Sequence, residues 1–359
     1  MSEINTPLRD SKKPTPAFAV LYILLSCLSV FIKTSSVQFD SLLASFVTGP
    51  VLSMAAMLML YLCLMSLGDN GRIAALLVII PTLFAPLSGY LCGSYEGCLY
   101  ALTDMLSSAL VAAILYYACK RSENRSFACA LGAFVISAFS ILESAVSCIF
   151  SAMQQQVSFG TMLFGKITDI TDAYIKAYTD SMNAVASLYN LTDASSVIIS
   201  DTEYLRSSLT LLFALTPALL YVFGFVAVYV FSYIADYACK TVGITENYCF
   251  GKFEVSRTAN TIFNITWLVL VLSIFFGGST AFSCGIISVF LILLPNYIIL
   301  GIRRIYGMLK RKLSGGISVL IIFAIGLFGM FFSSTLLIFV LIFFGTAEYK
   351  TEKAKKFIR

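Results

Sequence analysis

Two carboxylic acids stand inside long apolar stretches of the chain: Asp104, within the run from Leu99 to Cys119, and Glu143, within the run from Phe127 to Met153. An ionisable side chain in the hydrocarbon of a bilayer is costly, and where one persists it faces a cavity, water or a partner. Helical spacing gives each acid polar company. Ser137, Ser140, Ser147, Ser151 and Gln154 recur at steps of three and four on the Glu143 face, and Tyr100, Ser107 and Ser108 stand beside Asp104. The preceding run, Ile73 to Cys92, carries Pro81, Pro86 and Gly89, which kink a helix or free its carbonyls. These features predict a polar, water-accessible pocket among the third, fourth and fifth runs, in the outer half of the membrane. Its expected ligand-binding residues are Asp104, Glu143, Ser107, Ser140, Ser147 and Pro86. Two acids without an intramembrane lysine or arginine favour a cationic or proton-coupled ligand, because close carboxylates resist joint ionisation. The alternative is that the serines and a protonated carboxyl simply bond neighbouring helices.

Much other chemistry is excluded. The chain has no histidine, which removes the usual proton-transfer group near neutral pH and the commonest metal ligand. No glycine-rich phosphate loop, metal-ligand cluster or nucleophile elbow occurs, so no catalytic residue, metal or cofactor is expected and the protein is not read as an enzyme. The ten cysteines form no CxxC pair, and most lie in apolar runs as small hydrophobes. Cys92 and Cys98 flank a short outer loop, so both a disulfide and two free thiols stay open.

The elements that must position these residues follow from composition. With 59% hydrophobic and 12% charged residues in 359 and a mean hydropathy of +0.89, the chain cannot coat a water-soluble globule and takes the bilayer as its solvent. The expected fold is all-α, a polytopic transmembrane helical bundle of about eight to nine spans at roughly 20 residues each. Residues 1–15 form a polar amino terminus, 16–153 a five-span half, 154–206 an acidic outer segment, 207–346 a second membrane half and 347–359 a basic tail. The last apolar run, Ile317 to Gly345, would be roughly 43 Å long as one helix, well beyond a ~30 Å core. A hairpin broken near Gly326, Gly329 or Ser333 and Ser334 is the preferred reading. In the outer segment Ile167, Ile170, Tyr174, Tyr178, Met182, Val185 and Tyr189 recur at helical steps. That amphipathic helix either rests on the protein surface or headgroups, or covers the pocket as a lid.

Basic residues set the orientation. Alternate connections, counted from the amino terminus, hold fifteen lysines and arginines, among them Lys120, Arg121, Arg125, Arg303, Arg304 and Lys310. The other connections hold only Lys33, Lys166, Lys176 and Arg206. A multi-pass cell-membrane protein with a cytoplasmic amino terminus is expected. Asp236, one turn from Lys240, reads as half of a surface ion pair, and Asn296 as an interhelical hydrogen-bonding group. Nucleic acid binding is not implied.

The order of elements carries a resemblance. Five spans and a polar outer segment precede "LLFALTPALLYVFGFVAVYVFSYIADYACK" and "FGKFEVSRTANTIFNITWLVLVLSIF". A span ending in "NYIILGIRRIYGMLKRKL" follows, and then a final stretch closing at "FGTAEYKTEKAKKFIR". This layout resembles the YybS-like family of Gram-positive bacterial membrane proteins of undefined function, over nearly the whole chain. The amino-terminal half is similar to the substrate-capturing membrane subunits of energy-coupling-factor vitamin transporters. The resemblance implies small-molecule transport or capture through an outward-facing pocket. A structural or regulatory protein of the envelope, with another membrane protein as partner, is the competing reading.

Overall fold

A computed structural model describes residues 16–36, 49–67, 71–92, 95–188, 194–244, 250–276 and 279–357. Among these residues the chain forms eleven helices and no strand. They are α1 (Pro16–Ser36), α2 (Gly49–Leu67), α3 (Gly71–Cys92), α4 (Tyr95–Lys120), α5 (Arg125–Gln155), α6 (Phe159–Leu188), α7 (Ala194–Val242), α8 (Arg257–Phe276), α9 (Thr280–Lys310), α10 (Gly315–Phe332) and α11 (Ser334–Phe357). Five of them are long and apolar enough to cross a bilayer, and shorter apolar helices lie among the rest. Large apolar side chains on the outer surface, such as Leu83, Phe223, Leu320 and Phe343, are exposed by about two thirds. Only lipid makes that surface stable. The chain is a polytopic helical membrane bundle.

Local signals explain the helix ends. Asn124 caps α5 by accepting from Ser126 N at 2.9 Å, and α5 stops where Gln156 turns left-handed at φ 55°. Ser279 caps α9 through Phe282 N at 3.3 Å. Pro50 falls in the first turn of α2, where a missing N–H breaks no helical bond. Residues 42–48, the start of the corresponding apolar run, lie outside the described residues, as does Tyr189 of the amphipathic pattern.

The last apolar run is two helices. Ser333 is extended (φ −166°, ψ 94°), and its hydroxyl accepts from Leu336 N at 3.2 Å to start α11. Direction follows from α9. Gly301 sits against the Leu341 backbone and Gly345 against that of Tyr297, while Arg304 reaches Glu348 at 3.1 Å and Arg303 reaches Glu352 at 2.9 Å. Contacts that advance together along both helices mean that α9 and α11 are parallel. The chain must therefore reverse twice through α10, which makes α10 and α11 a hairpin. The tail ends beside the basic end of α9.

The outer segment is also helical, with a different division. α7 has 49 residues, roughly 74 Å at 1.5 Å each, so a ~30 Å core leaves a long part of it outside. Residue 206 marks a change of hydropathy within that helix. α6 lies along α7 in antiparallel sense, through Arg206–Asp172 at 2.7 Å and Tyr178–Asp201 at 3.2 Å, and it meets α5 through Lys166 and Ser151 at 3.0 Å.

One apolar core runs through α1, α2, α4, α5, α7, α8 and α9, with Tyr61, Phe225, Phe231, Leu300 and Tyr297 fully enclosed. A smaller cluster of Val30, Ala85 and Ala101 seats α3 on α1 and α4. Gly132 under Val228 and Gly224 against the Ala133 backbone let α5 and α7 approach closely.

Candidate functional site

α4 carries Thr103 and Asp104 at consecutive positions, about 100° apart around the helix, so the two side chains serve different neighbours. Asp104 Oδ2 accepts from Ser53 Oγ of α2 at 2.6 Å, and Ser53 lies 3.2 Å from Ser29 Oγ of α1. Thr103 Oγ1 lies 2.9 Å from Glu143 Oε2 of α5. A polar chain thus crosses four helices.

Thr103 fits both protonation states of Glu143. With an ionised carboxylate its hydroxyl donates to Oε2. With a protonated one Glu143 donates instead, and the threonine proton turns back to the Leu99 carbonyl at 3.0 Å. Serine at position 107 does comparable backbone work, its Oγ donating to the Asp104 carbonyl at 2.9 Å.

A cavity of about 260 Å³ opens along this chain. Its walls are Ser53, Met54 and Met57 of α2, Thr103, Asp104, Ser107, Ser108 and Val111 of α4, Ile136, Phe139, Ser140 and Glu143 of α5, and Ala227 and Val228 of α7. At ~30 Å³ per molecule that is room for roughly nine waters or one small organic ligand. Among the described residues, two carboxyls and five hydroxyl-bearing side chains line it, and none of these lining residues is a lysine or arginine.

Of the expected residues, Asp104, Glu143, Ser107 and Ser140 come together in the lining. Ser147 lies one turn beyond Glu143 and is not among the lining residues. Pro86 is exposed on the outside of α3. The reason is packing: α3 sits on α1 and α4, so the walls come from α2 and α7 where the third run was expected. Sequence reasoning missed Ser53, Thr103 and the α7 wall, whereas Ser108, placed beside Asp104 by its spacing, does line the cavity. Ser53 was legible as a lone polar residue near the start of an apolar helix, and Thr103 as the neighbour of Asp104. Ala227 and Val228 carry no signal. No α6 residue lines the cavity, so α6 is a surface helix rather than a lid in this structure. No disulfide joins Cys92 to Cys98 in this structure.

A second polar constellation closes the opposite, basic end. Arg125 is buried and pairs with Asp236, its guanidinium 4.0 Å from the Tyr233 ring centroid and 5.0 Å from that of Phe250. Asp236 therefore takes its partner from α5 rather than the expected Lys240. Asn124 holds residues 250–256 by accepting from Glu254 N at 3.1 Å, and Gly251 N donates to Glu123 O at 2.8 Å. Ser126 donates to Asn296 Oδ1 at 2.6 Å, the interhelical role expected of that asparagine. Arg303 adds a bond to Phe253 O at 3.3 Å.

Residues 39–345 match a family model described as a predicted membrane protein, DUF2232. The chain belongs to the DUF2232 family. Neither a curated protein nor a solved structure matches it. DUF2232 membership agrees with the helical membrane bundle, and the matched range takes in Ser53, Asp104 and Glu143 and the basic-end constellation, and ends at Gly345, on the α9–α11 contact.

Proposed function

We propose that this DUF2232 protein captures a small cationic molecule in the cavity between α2, α4, α5 and α7, as a transport or substrate-capture component. One observation carries the reading: two carboxyls share a polar cavity inside the membrane with hydroxyl donors, and none of the described residues that line it is basic. A cation entering there neutralises charge that hydrocarbon disfavours, and it leaves the hydroxyls their acceptors. The volume suits a ligand of few heavy atoms. The resemblance read from the sequence layout, to the YybS-like family and in the amino-terminal half to substrate-capturing transporter subunits, is in keeping with this proposal. The site is read as binding, without catalysis. The lysine and arginine bias supports a cell-membrane protein with a cytoplasmic amino terminus, its basic end inside and its cavity toward the outside.

The test uses the full chain in lipid nanodiscs, with ethylammonium, putrescine and choline as probes. At least one should raise the midpoint of thermal unfolding in proportion to the logarithm of its concentration. Asp104→Asn and Glu143→Gln should each weaken the response, the double variant should remove it, and Ser147→Ala should keep it. An unchanged midpoint with all three probes, or an equal response in the double variant, refutes the proposal. A structural or regulatory role draws on the α6–α7 pair, which stands outside the membrane core and apart from the cavity. A stoichiometric protein partner bound there, with no cation effect, would favour it.

A further inference from the structure

The lining of the 260 Å³ cavity changes character along its length, and three helices show the same order. On α4 the polar groups Thr103, Asp104, Ser107 and Ser108 come before Val111. α5 runs antiparallel to α4, since Thr103 meets Glu143 at 2.9 Å while Val111 lies beside Gly132. In the same spatial direction α5 therefore presents Glu143 and Ser140 before Phe139 and Ile136. α2 and α4 are each joined to α3 by a short connection, and short connections reverse a helix, so α2 runs with α4. Ser53, level with Asp104 through their 2.6 Å bond, then comes before Met57.

α7 adds Val228, which packs on Gly132 at the level of Val111, and its neighbour Ala227. Among the described residues, one end of the cavity is thus ringed by carboxyls and hydroxyls and the other is walled by apolar side chains. The two zones lie about 10 Å apart, the rise of seven helical residues between Asp104 and Val111 or between Glu143 and Ile136. A charged or hydroxyl group placed at the apolar end would lose its water without gaining a partner. A methylene placed there gains about three- to fourfold in affinity. At the polar end a primary ammonium offers three N–H donors to carboxyl and hydroxyl oxygens, where a quaternary head offers none. A few polar groups that fix one end of a ligand, with apolar walls along the rest of it, are the usual division of labour in a small-molecule site.

We infer that the ligand of this cavity is a primary monoamine with an apolar body, its ammonium at Asp104 and Glu143 and its body lying along Phe139, Ile136 and Val111 toward the basic end of the bundle. The inference rests on the cation-capture reading and narrows it. Capture by charge alone would accept a diamine as readily as a monoamine. The graded lining accepts positive charge at one end only, and it rewards carbon at the other.

The experiment is isothermal titration of the full chain in lipid nanodiscs with ethylammonium, butylammonium and putrescine, empty nanodiscs giving the blank for partition into lipid. Putrescine is butylammonium with a second ammonium at its far end, so the pair isolates the apolar zone. Butylammonium should bind roughly tenfold tighter than ethylammonium, at three- to fourfold for each of two methylenes, and putrescine at least about tenfold weaker than butylammonium. Ala227→Leu fills the apolar end, and Ile136→Ala removes part of its wall; each should bring the butylammonium-to-ethylammonium ratio below about threefold. Either variant suffices if the other fails to fold. Ser147→Ala, outside the lining, should keep the wild-type ratio. Ethylammonium and butylammonium binding within about twofold of each other, putrescine binding as tightly as butylammonium, or a wild-type ratio in the folded wall variants overturns the monoamine assignment while capture stands. Failure of the capture reading looks different: none of the three ammonium probes binds above the blank, and the assignment falls with it.

Discussion

Replacing Arg125 by methionine tests whether the basic end of the bundle is held by one desolvated ion pair. The Arg125 and Asp236 side chains are 9% and 20% exposed, and the guanidinium lies over two aromatic rings at 4.0 and 5.0 Å. Removing one partner of a buried pair costs ~3–5 kcal/mol, largely because the other charge is stranded, and the ring contacts add ~0.5–2 kcal/mol. Asp236 keeps some solvent and has Lys240 one turn away, so the lower end applies, about 3 kcal/mol. That is on the order of a hundredfold in the unfolding equilibrium. The double variant Arg125→Met with Asp236→Leu strands no charge and should cost less than Arg125→Met alone, a coupling of about 2 kcal/mol. Unfolding by a denaturing detergent from mixed micelles, followed by circular dichroism, measures Arg125→Met, Asp236→Leu and the double variant. Additive single effects, or a loss below about 1 kcal/mol for Arg125→Met, would refute the reasoning.

Four further outcomes follow from packing and exposure. Gly345→Ala puts a methyl group into the Tyr297 carbonyl, where backbone cannot yield; it should cost about 1–3 kcal/mol. Gly326→Ala, with nothing within 4 Å, should be neutral or slightly stabilising in the same unfolding assay. Asn124→Ala removes the α5 cap and the bond to Glu254 N; a loss of about 1–2 kcal/mol should appear with faster hydrogen exchange at Gly251 and Glu254. Arg206→Ala breaks an ion pair whose side chains are 55% and 53% exposed, so stability should change by less than about 1 kcal/mol and depend on salt.

Most of the fold was legible because a bilayer imposes one rule on every span. Hydrophobic runs located the helices, and the excess length of the run after Ile317 exposed the hairpin that Ser333 creates. Charge bias placed Arg303 and Arg304 at the end where the tail acids Glu348 and Glu352 meet them. What was not legible is which spans touch. Asp104 and Glu143 belong to sequential helices and were readable as one site, but the remaining walls come from α2 and α7, neither adjacent to that pair in sequence. Pro86 misled for a definite reason: a proline in a span signals backbone strain without saying which way it faces, and here it faces outward. The Tyr116 and Tyr117 pair shows the same limit. Both sit near a span end, yet Tyr117 is 57% exposed and Tyr116 is buried in the core.

The two polar constellations divide the bundle unequally. At the basic end, Arg125, Asn124, Ser126 and Arg303 each find a partner on another segment, and the helices between them pack around Phe231, Ala235 and Leu300 without exposure. Toward the other end, Asp104 lies nearer Tyr95 than Lys120 in α4, and Glu143 nearer Gln155 than Arg125 in α5; the cavity of about 260 Å³ opens at that depth. Interiors are normally close-packed, so a cavity at that depth, opposite the packed basic end, is the asymmetry that the proposed one-sided access needs. Under the proposed capture of a cation, exchange with the sealed side requires the Arg125–Asp236 latch to part. Arg125→Met should then speed dissociation of bound ethylammonium toward the basic side in oriented vesicles, without weakening its affinity by more than about twofold, because Arg125 does not line the cavity. Unchanged directional release in a latch variant that still folds would mean that the basic end is structural only.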